Sequence, residues 1–124
     1  MYNIKMNKIE ELIKLWKEKY CNENERYSES QIYNIAANCL SLSKTWFDNN
    51  KSREKESYEL DLYNKDGVLC EKLHGITSEN LPLTMMSIIT NECNSYSSMS
   101  LVSYRITKDT KDLVSNELGK MDIS

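Results

Sequence analysis

Tyr58-Glu59-Leu60-Asp61-Leu62-Tyr63-Asn64-Lys65-Asp66-Gly67 is the stretch that decides the fold. Tyr58, Leu60 and Leu62 alternate with Glu59, Asp61 and Tyr63, the period of two that belongs to a strand with one apolar face. Asn64-Lys65-Asp66-Gly67 then fits a type I turn with glycine in the left-handed position, so Val68 to Leu73 is expected to return as the second strand of a hairpin. Gly67 is needed there for its backbone freedom. Outside this hairpin, most of the chain reads as helix.

Upstream, Met6, Ile9, Leu12, Ile13, Trp16 and Tyr20 recur at spacings of three and four, which predicts a helix over residues 8–20. Asn7 with Glu10 resembles a capping box for it. After a polar break, Ser28-Glu29-Ser30-Gln31 gives a second capping box, with Tyr27 and Ile32 placed as a hydrophobic staple. Ile32, Ile35, Ala36, Cys39, Leu42 or Ser43, and Trp46 carry this helix to Asp48. Two helices joined by a short loop are expected to pack as an antiparallel hairpin.

Downstream, Pro82 marks the start of a helix over residues 81–94, with Leu83, Met86, Ile89 or Thr90, and Cys93 on one face. The β-branched run from Thr84 to Thr90 leaves a strand as the alternative. Met99 to Ile106 reads as a strand with Val102, Tyr104 and Ile106 on one face. Asp109 is a good N-cap for a last helix carrying Leu113, Val114, Leu118 and Met121. The expected fold is α+β, a single domain over residues 1–124: an N-terminal antiparallel helix hairpin packed with a small antiparallel sheet, in the order ααββαβα.

Composition removes much chemistry. The 124 residues hold three glycines, one proline, one histidine and two alanines, against thirteen asparagines, thirteen lysines and eight tyrosines. Glycine-rich phosphate loops and two-imidazole mechanisms are excluded. The bias is that of an AT-rich coding sequence, which points to a low-GC bacterium or one of its phages or plasmids. A formal net charge of −3 with both signs interspersed disfavours general nucleic-acid binding. No apolar run reaches the length of a membrane span. Cys21, Cys39, Cys70 and Cys93 form no C-x-x-C pair and do not cluster with His74, so zinc is not expected, and reduced thiols suit a cytoplasmic protein.

Among candidate sites, pairing His74 with Cys70 or Cys93 as base and nucleophile is disfavoured, because an offset of four along a strand keeps His74 and Cys70 apart. Glu59, Asp61 and Asp66 match no Ca²⁺ or Mg²⁺ loop. The hairpin's outward face is the best binding candidate: Glu59, Asp61 and Tyr63 beside a tip with Lys65 and Asp66 make an aromatic flanked by acids and an amine. Tyr104 with Arg105, near Tyr96, is a second.

With no catalytic residue, metal or cofactor indicated, the chain is expected to be a small non-enzymatic interaction protein. Its partner would be a protein that it binds and inhibits, such as a host defence component, in the manner of anti-CRISPR proteins by analogy of size and composition alone. The alternative is a module that binds or sequesters a nucleotide-like small ligand, with a homo-oligomer possible in either case.

Overall fold

The computed structural model describes residues 4–20, 27–48, 57–91, 96–106 and 113–123. Its elements are α1 (Ile4–Tyr20), α2 (Glu29–Asp48), β1 (Ser57–Tyr63), β2 (Leu69–His74), α3 (Leu81–Thr90), β3 (Ser98–Ile106) and β4 (Leu113–Asp122). The fold is α+β, helices first and then an antiparallel four-stranded sheet in the order β2-β1-β3-β4. The chain divides into two compact units, one of residues 1–44 and 78–92 and the other of residues 45–77 and 93–124.

In the helical unit, Ile9, Leu12 and Trp16 of α1 are buried at the spacing the sequence predicts, and so are Ile32, Ala36, Cys39 and Ser43 of α2. The start of α2 is the Ser28–Gln31 box in atomic form: Ser28 N–H donates to Gln31 Oε1 at 2.8 Å and Gln31 N–H to Ser28 Oγ at 3.2 Å. α1 begins at Ile4, ahead of the expected cap, so Asn7 lies inside the helix.

α3 is a helix despite its β-branched run, and its hydroxyls are satisfied by carbonyls a turn earlier: Thr84 Oγ1 donates to Asn80 O, Ser87 Oγ to Thr84 O and Thr90 Oγ1 to Met86 O. Its buried residues are Leu81, Pro82, Met85, Met86, Ile88 and Thr90; of the expected stripe Met86 and Thr90 are buried, Leu83 and Ile89 are half-buried, and Cys93 lies outside the described residues. So many apolar positions leave the phase open, and a polar contact sets it: Trp16 Nε1 donates to Thr90 Oγ1 at 3.0 Å, joining α1 to α3.

In the sheet unit, the hairpin is as expected. Asn64 Oδ1 accepts from the N–H groups of Asp66 and Val68, Gly67 N–H donates to Asn64 O, and Gly67 has φ 77°. Cys70 is an extra residue in β2, since Leu62 pairs with Glu71 and Tyr63 with Leu69. Leu60, Leu62, Met99 and Leu101 are fully buried on one face. Val102 and Tyr104 share a face, as expected, and it is the opposite one.

The expected last helix is instead strand β4, paired along β3 from Ile106↔Leu113 to Ser98↔Asp122; its proposed N-cap, Asp109, lies outside the described residues. Between Leu101 and Val102 the register shifts, leaving Leu118 as an extra residue in β4. The insertion breaks the alternation, so that Leu118 and Met121 fall three apart and mimic a helical stripe. Gly119 lies in this strand under the indole of Trp46. A Cβ built on Gly119 would overlap the indole ring itself. Phe47 meets Tyr58 edge-on beside it, with ring centroids 4.9 Å apart.

Gly119→Ala is therefore expected to destabilise the protein by about 1–3 kcal/mol through overpacking, read from urea unfolding. Combined with Trp46→Leu, which makes room, it should cost less than the sum of the two single changes. Strict additivity would show that the indole does not rest on this glycine.

Candidate functional site

The register of the sheet assembles a polar face from all four strands. Glu59 pairs with His74 on β2 and Val102 on β3, and Val102 with Glu117 on β4. One row along, Asp61 pairs with Lys72 and Ser100, and Ser100 with Lys120. Side chains directly opposite in an antiparallel pair share a face, so these eight residues project together. Tyr63 and Tyr104 lie on the same face, opposite Ser98 and Ser57.

Glu59 and Asp61 are only 4% and 5% exposed, although they point away from the apolar core. Buried carboxyl groups require partners, and Glu59 has several. Tyr104 Oη donates to its Oε2 at 2.8 Å, Lys72 Nζ lies 3.5 Å from the same oxygen, and His74 Nδ1 lies 3.3 Å from Oε1. Asp61 stands beside Glu59 on the same face of β1, and the two carboxyl groups shift each other's titration. Asp61 Oδ1, by contrast, is fully buried without a hydrogen-bond partner.

The two carboxyl groups titrate in opposite directions. Burial pushes Glu59 up, and the bonds from Asp61 and Tyr104 with the Lys72 ammonium outweigh it, holding Glu59 below its ordinary value. For Asp61, burial, the bond to Glu59 and the Glu59 charge act together and push it up to about 7. The proton therefore sits on Asp61 at mildly acidic pH and leaves near neutrality. Tyr104 is raised by burial and by its bond to Glu59, and Lys72 by the charge of Glu59. Lys72 Nζ also stands 5.8 Å from the centre of the Tyr104 ring, and Lys120 Nζ 5.5 Å from that of Tyr63.

Of the residues singled out from the sequence, Glu59, Asp61, Tyr63 and Tyr104 come together on this face. Lys65 and Asp66 are exposed at the hairpin tip. Arg105 follows Tyr104 in β3 and pairs with Val114, and its side chain lies outside the described residues. Tyr96 Oη donates to Glu71 Oε2. Lys72, His74, Lys120 and Glu117 were not singled out for this face. The turn alone would not have supplied the first two: it sets Tyr63 opposite Leu69, and only the extra residue Cys70 moves Asp61 opposite Lys72 and Glu59 opposite His74.

His74 meets a carboxylate, not a thiol. Cys70 is exposed at the bulge, with Sγ donating to Val68 O at 3.4 Å, and burial pushes the Cys39 thiol up to about 12. Cys21 and Cys93 lie outside the described residues. Among the described residues there is no group of three or more His, Cys, Asp or Glu side chains able to hold a metal ion, and no helix is long and apolar enough to cross a membrane. Comparison with protein-family models, curated proteins and solved structures finds no significant match to the chain.

A raised carboxyl such as Asp61 contributes stability that is fully present below its unfolded value of 3.8 and lost as pH rises towards 7. A lowered one such as Glu59 contributes stability present above 4.5 and lost as pH falls. The pair thus stabilises most between the two ordinary values, 3.8 and 4.5, and its contribution falls from there as pH rises towards 7. Asp61→Asn keeps the size and a donor and does not ionise. The native protein is expected to lose about 2–3 kcal/mol between pH 5 and pH 8 through this group, and the variant to lack that loss. Urea unfolding at the two pH values checks it, and an equal decline in both proteins would refute the assignment.

Proposed function

We propose that this chain is a non-enzymatic protein-binding domain and that the polar face of its sheet is the surface a macromolecular partner contacts. The observation that carries the reading is the fixed arrangement of that face. Tyr104, Lys72 and His74 all converge on Glu59, and Lys72 and Lys120 stand over the Tyr104 and Tyr63 rings. Side chains already held in place lose little further freedom when a partner arrives. Tyrosine on a polar-rimmed patch is what protein interfaces favour. Val68 and Leu69, 57% and 40% exposed at the start of β2, supply apolar area beside it.

A binding role is favoured over a catalytic one because the ionisable groups of the face bond to each other. The AT-rich composition supports the narrower step, an origin in a phage or plasmid and inhibition of a host defence component by occupancy. That step rests on size and composition, and the sheet face would be its instrument.

The test is affinity capture from a low-GC bacterial lysate with three forms of the chain: native, Tyr63→Ala with Lys120→Ala, and Leu15→Ser on the exposed side of α1. One protein retained by the native and Leu15→Ser forms, and reduced at least about tenfold by the double change, is the expected result, since an interface tyrosine is often worth more than 1 kcal/mol. Equal capture by all three forms, or repeated failure to recover any protein, would overturn the reading.

A further inference from the structure

We propose that Asp61 is the seat for one cationic side chain of the partner, an ammonium or guanidinium group, which supplies the donor that its buried Oδ1 lacks. The inference rests on the reading of this face as a protein-binding surface and names the chemistry of what binds there.

The donors of the face are unequally distributed. Glu59 receives the Tyr104 hydroxyl and lies within reach of Lys72 Nζ and His74 Nδ1, while no donor reaches Asp61 Oδ1. Its Oδ1 is the one buried side-chain oxygen or nitrogen among the described residues with no hydrogen-bond partner, on a side chain 5% exposed. Such an atom calls for a donor.

The two cations in its own cross-strand row do not supply one. Lys72 Nζ is held at Glu59 Oε2 and over Tyr104, and Lys120 Nζ stands over Tyr63. The groups that face Asp61 are Glu59 on β1, Lys72 on β2, Tyr104 on β3 and Glu117 on β4. With Asp122, which pairs with Ser98 on the same face, the acids Glu59, Asp61, Glu117 and Asp122 outnumber the lysines. The missing donor is therefore best supplied as a positive charge. Access is through Lys72, a long side chain 45% exposed and directly opposite Asp61, which can swing aside.

The exchange balances. The Asp61 O–H bond breaks and its proton passes to water; the Asp61 carboxylate then pairs with the incoming cation, and no electrons are transferred. Glu59 keeps Tyr104 and His74 while Lys72 moves off to admit the cation, whose own positive charge then stands beside it in place of Lys72. Because a proton leaves as the cation enters, binding must tighten as pH rises and level off once Asp61 is ionised.

The experiment uses the full chain with carboxyl groups labelled for carbon NMR, and N-acetylarginine amide and N-acetyllysine amide as probes, with N-acetylcitrulline amide as the uncharged control. At least one cationic probe is expected to move the Asp61 carboxyl resonance to its ionised position and to bind about tenfold tighter at pH 8 than at pH 6, with citrulline inactive. Asp61→Asn should abolish the binding and Asp66→Asn, at the exposed tip, should leave it intact. If Asp61→Asn does not fold, the resonance shift in the native chain decides alone. Binding independent of pH, binding by citrulline, or no shift at Asp61 with either cation would overturn the proposal. Loss of partner capture in the Tyr63 and Lys120 variant with no cation binding would refute this inference while sparing the protein-binding reading. Cation binding with no captured protein would do the reverse and leave a small cationic molecule as the occupant.

Discussion

Two carboxyl groups two residues apart on an inner strand, both buried, cannot both be ionised without donors around them. That constraint orders the sheet. Burying an isolated carboxylate is very costly, and a second beside it adds repulsion. The structure offsets this from both neighbouring strands, with a lysine and a histidine from β2 and a tyrosine hydroxyl from β3. It leaves Asp61 Oδ1 without a donor, and burial with the neighbouring Glu59 charge pushes Asp61 up to about 7. A register slip of one residue in β2 would turn Lys72 and His74 to the apolar face and bring Leu73 and Glu71 against the carboxyl groups, so the polar cluster helps to specify the pairing. The face is thus at once a structural lock and the most chemically distinctive surface among the described residues.

How far the sequence disclosed this depends on whether the signal is local. The hairpin was legible because alternation, an Asn cap and a glycine at φ 77° all act within ten residues. The start of α2 was legible for the same reason, as the Ser28 and Gln31 side chains close on each other's backbone. β4 was not, since it owes its form to pairing with β3, and the bulge at Leu118 displaces the apolar positions into helical spacing. The phase of α3 depends on Trp16, seventy-four residues before the hydroxyl that its indole meets. The polar face was half legible: alternation put Glu59, Asp61 and Tyr63 together, but their burial comes from side chains that only the sheet register delivers.

Scarcity of glycine takes on a definite meaning in this light. Gly67 and Gly75 hold positive φ angles of 77° and 74° at either end of the β2 return, and Gly119 yields its side-chain space to Trp46. Each of the three answers a backbone requirement, and none is left to cradle a phosphate.

The division of the chain into units has a consequence for its synthesis. Passage between them occurs three times, within α2 near Lys44, after Thr77 and after Glu92. Neither unit is a contiguous segment. A growing chain can form α1, α2 and the β1–β2 hairpin as each emerges, but Trp16 must wait for Thr90, and Glu59 for Tyr104, before its hydrogen-bond partner exists. Until then the hairpin holds its two carboxyl groups with only the β2 side of their cage in place. Long-range closure of this kind slows folding relative to a bundle of local contacts, and it makes the completion of the sheet, rather than of the helices, the late event in the life of this protein.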